Sequence, residues 1–294
     1  MTARRRRRIA AVAAGLIACC LLLSLWVAAR VRDATSSRTV SSVLLEPRQA
    51  RAASGPARPD ARNAMRSVAA PLAVCEARIE REPHRVPTVA IVGASYTAGT
   101  GPGNPELSWA VDLARLQHWN AVIYGVPGAG YLRSGAGGRG PMARLLSGEG
   151  LRGLGPSLVI VQAGHNDIGM PAALERQRVG AVVDQIRVAA PAARIALLTT
   201  FAASMGGSPA LRRTDRAITA AGATADPGVI VMDPLAGRWK FPRAGDGLHP
   251  TAAGDAWIAR TVAAVLLARG VRPAPVTSTA PVICDVSVGA GKPA

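Results

Sequence analysis

Aromatic residues, cysteine and lysine are all scarce in this chain, and the shortages narrow its possible functions. Aromatic side chains make up 3% of the 294 residues, which weakens any interpretation as a protein that stacks nucleic-acid bases. Four cysteines are too few for a small scaffold held together by many disulfides. Apolar residues are abundant instead: 49% of the chain is hydrophobic and 18% is charged. This composition supports a folded domain with a real core.

Arginine carries the net charge of +17 almost alone, because Lys240 and Lys292 are the only lysines. Such a charge would suit attraction to an anionic polymer or to a membrane surface. We favour the simpler interpretation of scattered, solvated charges, because no basic block after residue 32 is long enough to resemble a nucleic-acid-binding patch. We therefore expect no nucleic-acid partner.

An uncharged apolar segment near the N-terminus follows a run of arginines. Residues 4–8 are five consecutive arginines, and residues 9–29 contain no charge. About 20 apolar residues let a helix span a bilayer core, and the arginines are expected on its cytoplasmic side. We therefore predict a membrane anchor or signal peptide within residues 1–32, with the rest of the chain outside the cytoplasm.

Two processing alternatives stay open for this segment. Residues 27–29, Val-Ala-Ala, provide the small side chains that a signal peptidase accepts, and cleavage there would release a secreted protein. Residues 16–19, Leu-Ile-Ala-Cys, resemble a lipobox, but the apolar run continues past Cys20 and argues against lipidation. We favour the uncleaved anchor, which contacts the membrane through residues 9–29.

Three further regions follow this segment. Residues 33–85 are rich in Ser, Ala, Arg and Pro without sustained periodicity, which predicts a stalk or linker. Residues 86–270 alternate short apolar runs with helical patterns, which is typical of a parallel sheet covered by helices on both faces. Residues 271–294 are predicted to form a C-terminal tail.

The predicted sheet has five strands. They lie at residues 89–92, 121–124, 158–161, 195–198 and 229–232. Helices are predicted after Asn104-Pro105 and at residues 172–188, 211–221 and 251–268. The apolar face of the first helix is assigned to Leu107, Val111, Ala114 and Leu116. Ligands of such folds bind beyond the carboxyl ends of the strands, so we look for chemistry there.

Polar or glycine-rich motifs lie where the predicted strands end and where the last helix begins. They are Gly93-Ala94-Ser95, the glycine-rich turn around Gly128, Gly164-His165-Asn166-Asp167 and Asp246-Gly247-Leu248-His249-Pro250. An aspartate and a histidine three residues apart can fold so that the carboxylate reaches the imidazole and orients a general base. The turn at Ser95 matches neither a dinucleotide nor a phosphate-loop pattern, and the four histidines lack metal-ligand spacing. We expect no cofactor and no metal.

These motifs, in this order across residues 86–270, resemble the SGNH (GDSL-type) hydrolase family. The resemblance implies a three-layer, flavodoxin-like α/β/α fold and the hydrolysis or transfer of acyl esters. It implies Ser95 as the nucleophile, His249 as its base and Asp246 as the acid that orients the base. Gly128 and Asn166 match donors of the oxyanion hole, and the Ser95 backbone N–H is the expected third donor.

Ala94 departs from the family pattern, which usually has an aspartate directly before the nucleophile. The aspartate is not a member of the triad, so the chemistry can survive its absence. Its loss could loosen the turn that carries Ser95 or alter substrate contacts. It is the only support for a non-catalytic glycan-binding protein on the same fold.

Three residues near the motifs have competing interpretations. His165 either lines the substrate pocket or forms structural hydrogen bonds. Asp167 is expected to cap a local turn rather than to contact substrate. Asp233 follows the fifth predicted strand and competes with Asp246 as the orienting acid, but we favour Asp246 because its spacing to His249 is local.

Cys75 and Cys284 flank the predicted catalytic domain. In an oxidising compartment they can form a disulfide that ties both flanking segments to the domain. The alternative is a pair of free thiols on mobile segments, and we favour the disulfide.

We predict a serine ester hydrolase, membrane-anchored or secreted, that acts through an acyl-Ser95 intermediate. Its substrate is expected to be an ester of a small molecule, a lipid or a cell-envelope glycan. The closest alternative is an O-acyltransferase with the same triad, which uses a hydroxyl of an envelope polysaccharide in place of water.

Overall fold

The computed structural model describes residues 74, 77–79, 86–139, 141–146, 150–203, 206–275 and 280–288, all within one compact unit, Arg58–Ala294. The predicted anchor, residues 1–32, and almost all of the predicted linker, residues 33–85, lie outside the described residues. Within the described ranges, none of the helices combines the length and the apolar character that a bilayer crossing requires.

The centre of the fold is a parallel sheet. Its strands are β1 (Thr88–Gly93), β2 (Asn120–Gly125), β3 (Leu158–Gln162), β4 (Arg194–Leu198), β5 (Ile230–Met232) and β6 (Ile283–Asp285). They lie in the order β5-β4-β3-β1-β2-β6, and every neighbouring pair is parallel. The apolar runs form strands because both faces of such a sheet are buried.

Helices cover both faces of the sheet. They are α1 (Trp109–Gln117), α2 (Met142–Leu146), α3 (Gly150–Leu154), α4 (Ala172–Ala189), α5 (Pro209–Ala225) and α6 (Ala252–Ala268), with 3-10 turns at Pro105–Leu107, Ala136–Gly138 and His165–Asp167. Ile91 packs in the core under α1 and α6, whereas its neighbour Val92 packs in the core under α2 to α5. This alternation produces the predicted three layers.

The expected number of strands is wrong: the described residues form a six-stranded sheet, not a five-stranded one. The sixth strand, β6, lies inside the segment 271–294 that we expected to form a tail, and it pairs with β2. A strand of three residues, such as β6, is too short to show periodicity in the sequence. Edge pairing holds the strand instead, together with the buried Asn120 side chain, whose Oδ1 accepts the Val282 N–H at 2.8 Å.

Cys284 lies in β6 and is disulfide-bonded. Its predicted partner, Cys75, lies outside the described residues, so the pairing of these two cysteines stays a prediction.

The first predicted helix begins later than expected. A 3-10 turn occupies Pro105–Leu107, and α1 begins at Trp109 because the Ser108 side chain accepts the Val111 N–H. Leu107 and Leu116 were expected on the apolar face, but they are 41% and 47% exposed. The two short helices α2 and α3 were not predicted.

Candidate active site

The first strand delivers a serine to the carboxyl edge of the sheet. Ser95 follows β1 by two residues, in a tight turn where the Ala98 N–H donates to the Ala94 carbonyl. Its side chain is almost covered, since Ser95 is 9% exposed. The turn needs glycine before it, because a Cβ at Gly93 would lie 2.1 Å from the Thr97 hydroxyl.

Ser95, His249 and Asp246 form one hydrogen-bonded chain. The Ser95 Oγ is 2.8 Å from His249 Nε2, and His249 Nδ1 is 2.6 Å from Asp246 Oδ2. The serine comes from the end of β1, whereas the other two come from the loop before α6. A strand and a loop more than 150 positions apart therefore meet at the three residues that the sequence singled out.

Backbone N–H groups of the loop hold the Asp246 carboxylate in place. Asp246 Oδ1 accepts the N–H groups of Leu248 and His249, both at 2.9 Å. Burial works against the charged form, but the hydrogen bonds from the His249 side chain and from these N–H groups hold the Asp246 pKa below its usual value. The group is therefore ionised across the neutral range and can stabilise a protonated His249.

Tyr96 connects the serine turn to the histidine loop. Its hydroxyl donates to the Leu248 carbonyl at 2.7 Å, and its ring stacks on Phe201 with centroids 4.5 Å apart. The same ring lies tilted 5.4 Å from the His249 imidazole. Sequence reasoning missed this role, because a tyrosine beside the nucleophile carries no signal of which carbonyl it reaches.

The turn around Ala94 is held by Gln162, the last residue of β3. Gln162 Oε1 accepts the Ala94 N–H and the Thr97 hydroxyl, each at 3.1 Å. The Gln162 side chain is buried, as is Ala94. An anchor for the turn is therefore present although Ala94 replaces the usual aspartate.

Three hydrogen-bond donors lie at the ends of adjacent strands. The backbone N–H groups of Ser95 and Gly128 make no hydrogen bond within the described part of the chain. Gly128 has φ +78°, a conformation that favours glycine. The Asn166 side-chain amide donates to the Ala129 carbonyl at 2.7 Å, which fixes it against the Gly128 turn. An amide has two N–H donors, so one remains for a ligand.

The Asp167 side chain holds the glycine-rich loop that follows β2. Its carboxylate accepts the N–H groups of Tyr131, Leu132 and Arg133 at 2.6, 3.1 and 3.1 Å. The expectation of a local turn cap is wrong, because these donors lie 34 to 36 positions away in the sequence. Gly130 is required beside it, since a Cβ there would lie 2.2 Å from Asp167 Oδ2.

The two remaining candidates from the sequence are His165 and Asp233. His165 is half-buried, and this burial is the main cause of its lowered pKa. The nearby His249 lowers the pKa of His165 further, whereas a hydrogen bond with the Phe201 backbone raises it. Asp233 does not reach His249, because its Oδ1 accepts the Ala236 N–H at 2.8 Å and closes a separate turn.

Comparisons with known proteins point to one family. Residues 91–257 match the model of the GDSL-like lipase/acylhydrolase family. A GDSL lipase of Mycobacterium tuberculosis is 28% identical over 195 residues, which cover 62% of this chain and 83% of the relative.

Two solved structures share the fold. A family two carbohydrate esterase from Clostridium thermocellum, in complex with cellohexaose, matches with a TM-score of 0.51 and 17% identity over 64% of this chain and 66% of its own. Est24, a carbohydrate acetylesterase from Sinorhizobium meliloti, matches with a TM-score of 0.50 and 17% identity over 62% of this chain and 99% of its own.

Proposed function

Because the chain belongs to the GDSL-like lipase/acylhydrolase family and is a carboxylic ester hydrolase, we propose that it removes short acyl groups from a carbohydrate through an acyl-Ser95 intermediate. The observation that carries the proposal is the hydrogen-bonded chain from Ser95 through His249 to Asp246. The two carbohydrate esterases that share the fold support the class of substrate.

The first half-reaction forms the acyl-enzyme. His249 Nε2, at 2.8 Å, takes the Ser95 hydroxyl proton as the oxygen attacks the ester carbonyl carbon. Asp246 holds the imidazole with Nδ1 protonated and stabilises the imidazolium. When the tetrahedral intermediate collapses, the bond from the carbonyl carbon to the alcohol oxygen breaks, and His249 returns its proton to the leaving sugar alkoxide.

The developing oxyanion is bound by the three donors at the strand ends. The backbone N–H groups of Ser95 and Gly128 and the remaining Asn166 N–H supply hydrogen bonds where negative charge appears. Such fixed donors act mainly on the transition state, since they need no reorganisation when the charge develops.

The second half-reaction uses water. His249 takes a proton from a water molecule, whose oxygen attacks the acyl carbon, and then returns it to Ser95 as the acid is released.

The arginine run at residues 4–8 and the apolar segment at residues 9–29 support a location outside the cytoplasm, anchored or secreted, where envelope glycans are found.

The test is hydrolysis of p-nitrophenyl acetate and of acetylated xylan by the full chain. We expect Ser95→Ala and His249→Ala to lower kcat by at least about 1,000-fold while circular dichroism stays unchanged. His118→Asn is the matched control, because His118 ends α1 at the opposite edge of the sheet in a left-handed conformation that asparagine tolerates. Wild-type protein that is folded yet no faster than the Ser95 variant would contradict the hydrolase.

The transferase alternative is separated by product analysis. A fluorophosphonate probe should label wild-type protein stoichiometrically and leave Ser95→Ala unlabelled. Labelling combined with acyl transfer to an added sugar alcohol, and with no release of free acid, would replace hydrolysis by transfer. Absence of labelling in folded protein would favour the non-catalytic glycan-binding interpretation.

A further inference from the structure

A cavity of about 660 Å³ lies beside the triad loop and is lined by basic and aromatic side chains. Its walls come from the segment after β4 and from residues 234–243, which follow β5. Arg212, Arg238, Lys240 and Arg243 supply four positive charges, and none of the described residues that line it is acidic. Cavities of this size hold small ligands, so this one has room for a sugar unit beyond the scissile ester.

The four basic side chains of this cavity form no ion pair with any carboxylate of the described residues. Arg212, Arg238 and Lys240 are exposed, and Arg243 is half-buried. Clustered like charges without counter-ions raise the local concentration of anions.

Arg243 is held rigidly between the cavity and the triad loop. Its guanidinium lies 4.0 Å from the centre of the Phe241 ring and donates to the Ala202 carbonyl. Its backbone forms an antiparallel bridge with Pro250, next to His249. A ligand that contacts Arg243 is therefore positioned relative to the catalytic base.

Aromatic rings connect the cavity to the catalytic histidine. Phe201 stacks on Tyr96, which lies 5.4 Å from the His249 ring, and Phe201 also contacts Trp239 with centroids 6.1 Å apart. Trp239 lines the cavity and offers it an apolar ring. An amphipathic ligand such as a sugar, which has an apolar face and polar edges, matches this combination of ring and charge.

We propose that this cavity binds a carboxylate or phosphate group on the carbohydrate whose ester is cleaved, so that the enzyme prefers anionic sugar esters over neutral ones. The proposal rests on the function proposed above and specifies its substrate. Arginine suits this role because its planar guanidinium can hold a carboxylate or a phosphate with two parallel hydrogen bonds.

The test compares the acetate esters of three related sugars, one neutral and two anionic. The full chain is assayed on the acetate esters of methyl glucoside, methyl glucuronide and glucose 6-phosphate. We expect wild-type kcat/KM to be at least about tenfold higher for one of the charged esters than for the neutral one. The two charged arms distinguish a carboxylate from a phosphate, and 0.5 M NaCl should reduce the preference by screening.

The double variant Arg238→Gln/Lys240→Gln should lower the charged-to-neutral ratio of kcat/KM by about tenfold. Arg213→Gln is the matched control, because Arg213 is an exposed neighbour of Arg212 on α5 and does not line the cavity. A ratio near one in wild-type protein, or an equal ratio in the double variant, overturns the proposal while leaving ester hydrolysis intact.

A binding measurement separates this proposal from the catalytic one. Glucuronic acid, glucose 6-phosphate and glucose are titrated calorimetrically into full-length Ser95→Ala protein with and without the double substitution. We expect a charged sugar to bind more tightly than glucose and to lose about tenfold in affinity in the double variant. Equal binding of charged and neutral sugars contradicts the anion site whatever the activity of the enzyme.

Discussion

The Asn166 side chain is held by one hydrogen bond to the Ala129 carbonyl and offers its second N–H to a ligand. We predict that Asn166→Ala lowers kcat for p-nitrophenyl acetate by about 10²–10³-fold, because the proposed oxyanion hole loses one of its three donors. Steady-state kinetics gives the value, and thermal unfolding checks that the protein is folded. A folded variant with wild-type kcat would remove Asn166 from the oxyanion hole.

Gln162 gives the second prediction at the scale of single residues. Gln162→Ala leaves the buried Thr97 hydroxyl without its acceptor and weakens the hold on the Ala94 N–H. We expect a loss of about 1–3 kcal/mol in the free energy of unfolding, together with a lower kcat, because the Ser95 turn loses its support. Chemical denaturation and kinetics measure the two effects. Gln162→Glu keeps an acceptor oxygen, and an equally large loss in that variant would contradict the explanation.

The residues that could be predicted are those whose chemistry depends on order and local spacing. Asp246 and His249 are three positions apart, so their contact is visible in the sequence. The roles of Gln162 and Asp167 are not, because each side chain reaches a backbone N–H that is 34 or more positions away. Only the register between β1 and β3 brings Gln162 beneath the serine turn.

At the scale of elements, the loop that carries Gly128 depends on close contact between Gly130 and Asp167. We predict that Gly130→Ala lowers kcat at least about tenfold, because the new Cβ would lie 2.2 Å from Asp167 Oδ2 and displace the loop. Kinetics and denaturation are the measurements.

Gly180→Ala is the matched control for this substitution. Gly180 lies within α4, and a Cβ there meets no atom within 4 Å. This variant should retain kcat and gain about 0.5–1 kcal/mol in stability, because alanine is the better helix former. Equal kcat in the two variants would show that the loop tolerates displacement.

Strands β1 to β5 were predictable because each is a short apolar run that ends at a turn signal. β6 was not, because Ile-Cys-Asp has no alternation and becomes a strand only through its pairing with β2. The late start of α1 has a similar cause: Asn104-Pro105 does begin a helical turn, but the Ser108 side chain caps a second helix that begins four residues later.

For the whole molecule, two buried carboxyls on opposite faces of the sheet have strongly raised pKa values and therefore contribute to the pH dependence of stability. Burial raises the pKa of Glu175 to about 8, and the Asp167 carboxyl beside it adds to the shift. Burial likewise raises the pKa of Asp255 to about 8, although its Oδ1 accepts the Trp109 N–H. Both groups are neutral in the folded protein at mildly acidic pH.

Stability is therefore predicted to fall as the pH rises. In the unfolded chain both carboxyls ionise near about pH 4, so between pH 4 and 8 the folded state holds protons that the unfolded state has released. We expect the free energy of unfolding to be at least about 1 kcal/mol lower at pH 8 than at pH 5.5. The lowered pKa of Asp246 acts only at more acidic pH, below its ordinary value.

The double variant Glu175→Gln/Asp255→Asn should flatten this dependence in urea titrations at the two pH values. A glutamine at position 175 stays uncharged at both pH values, and an asparagine oxygen at position 255 can still accept the Trp109 N–H. An unchanged slope with pH in the double variant would assign the effect to other groups.

The pairing of β6 with β2 also has a consequence for how the chain is made. β6 leaves the ribosome after every other described strand, whereas its partner β2 is among the first. Until then, the edge of β2 exposes unpaired N–H and C=O groups, which is the kind of surface on which nascent chains aggregate. Pairing with Ile283–Asp285 covers this edge and leaves a strand of only three residues as the new edge, which offers a shorter surface for pairing with other copies.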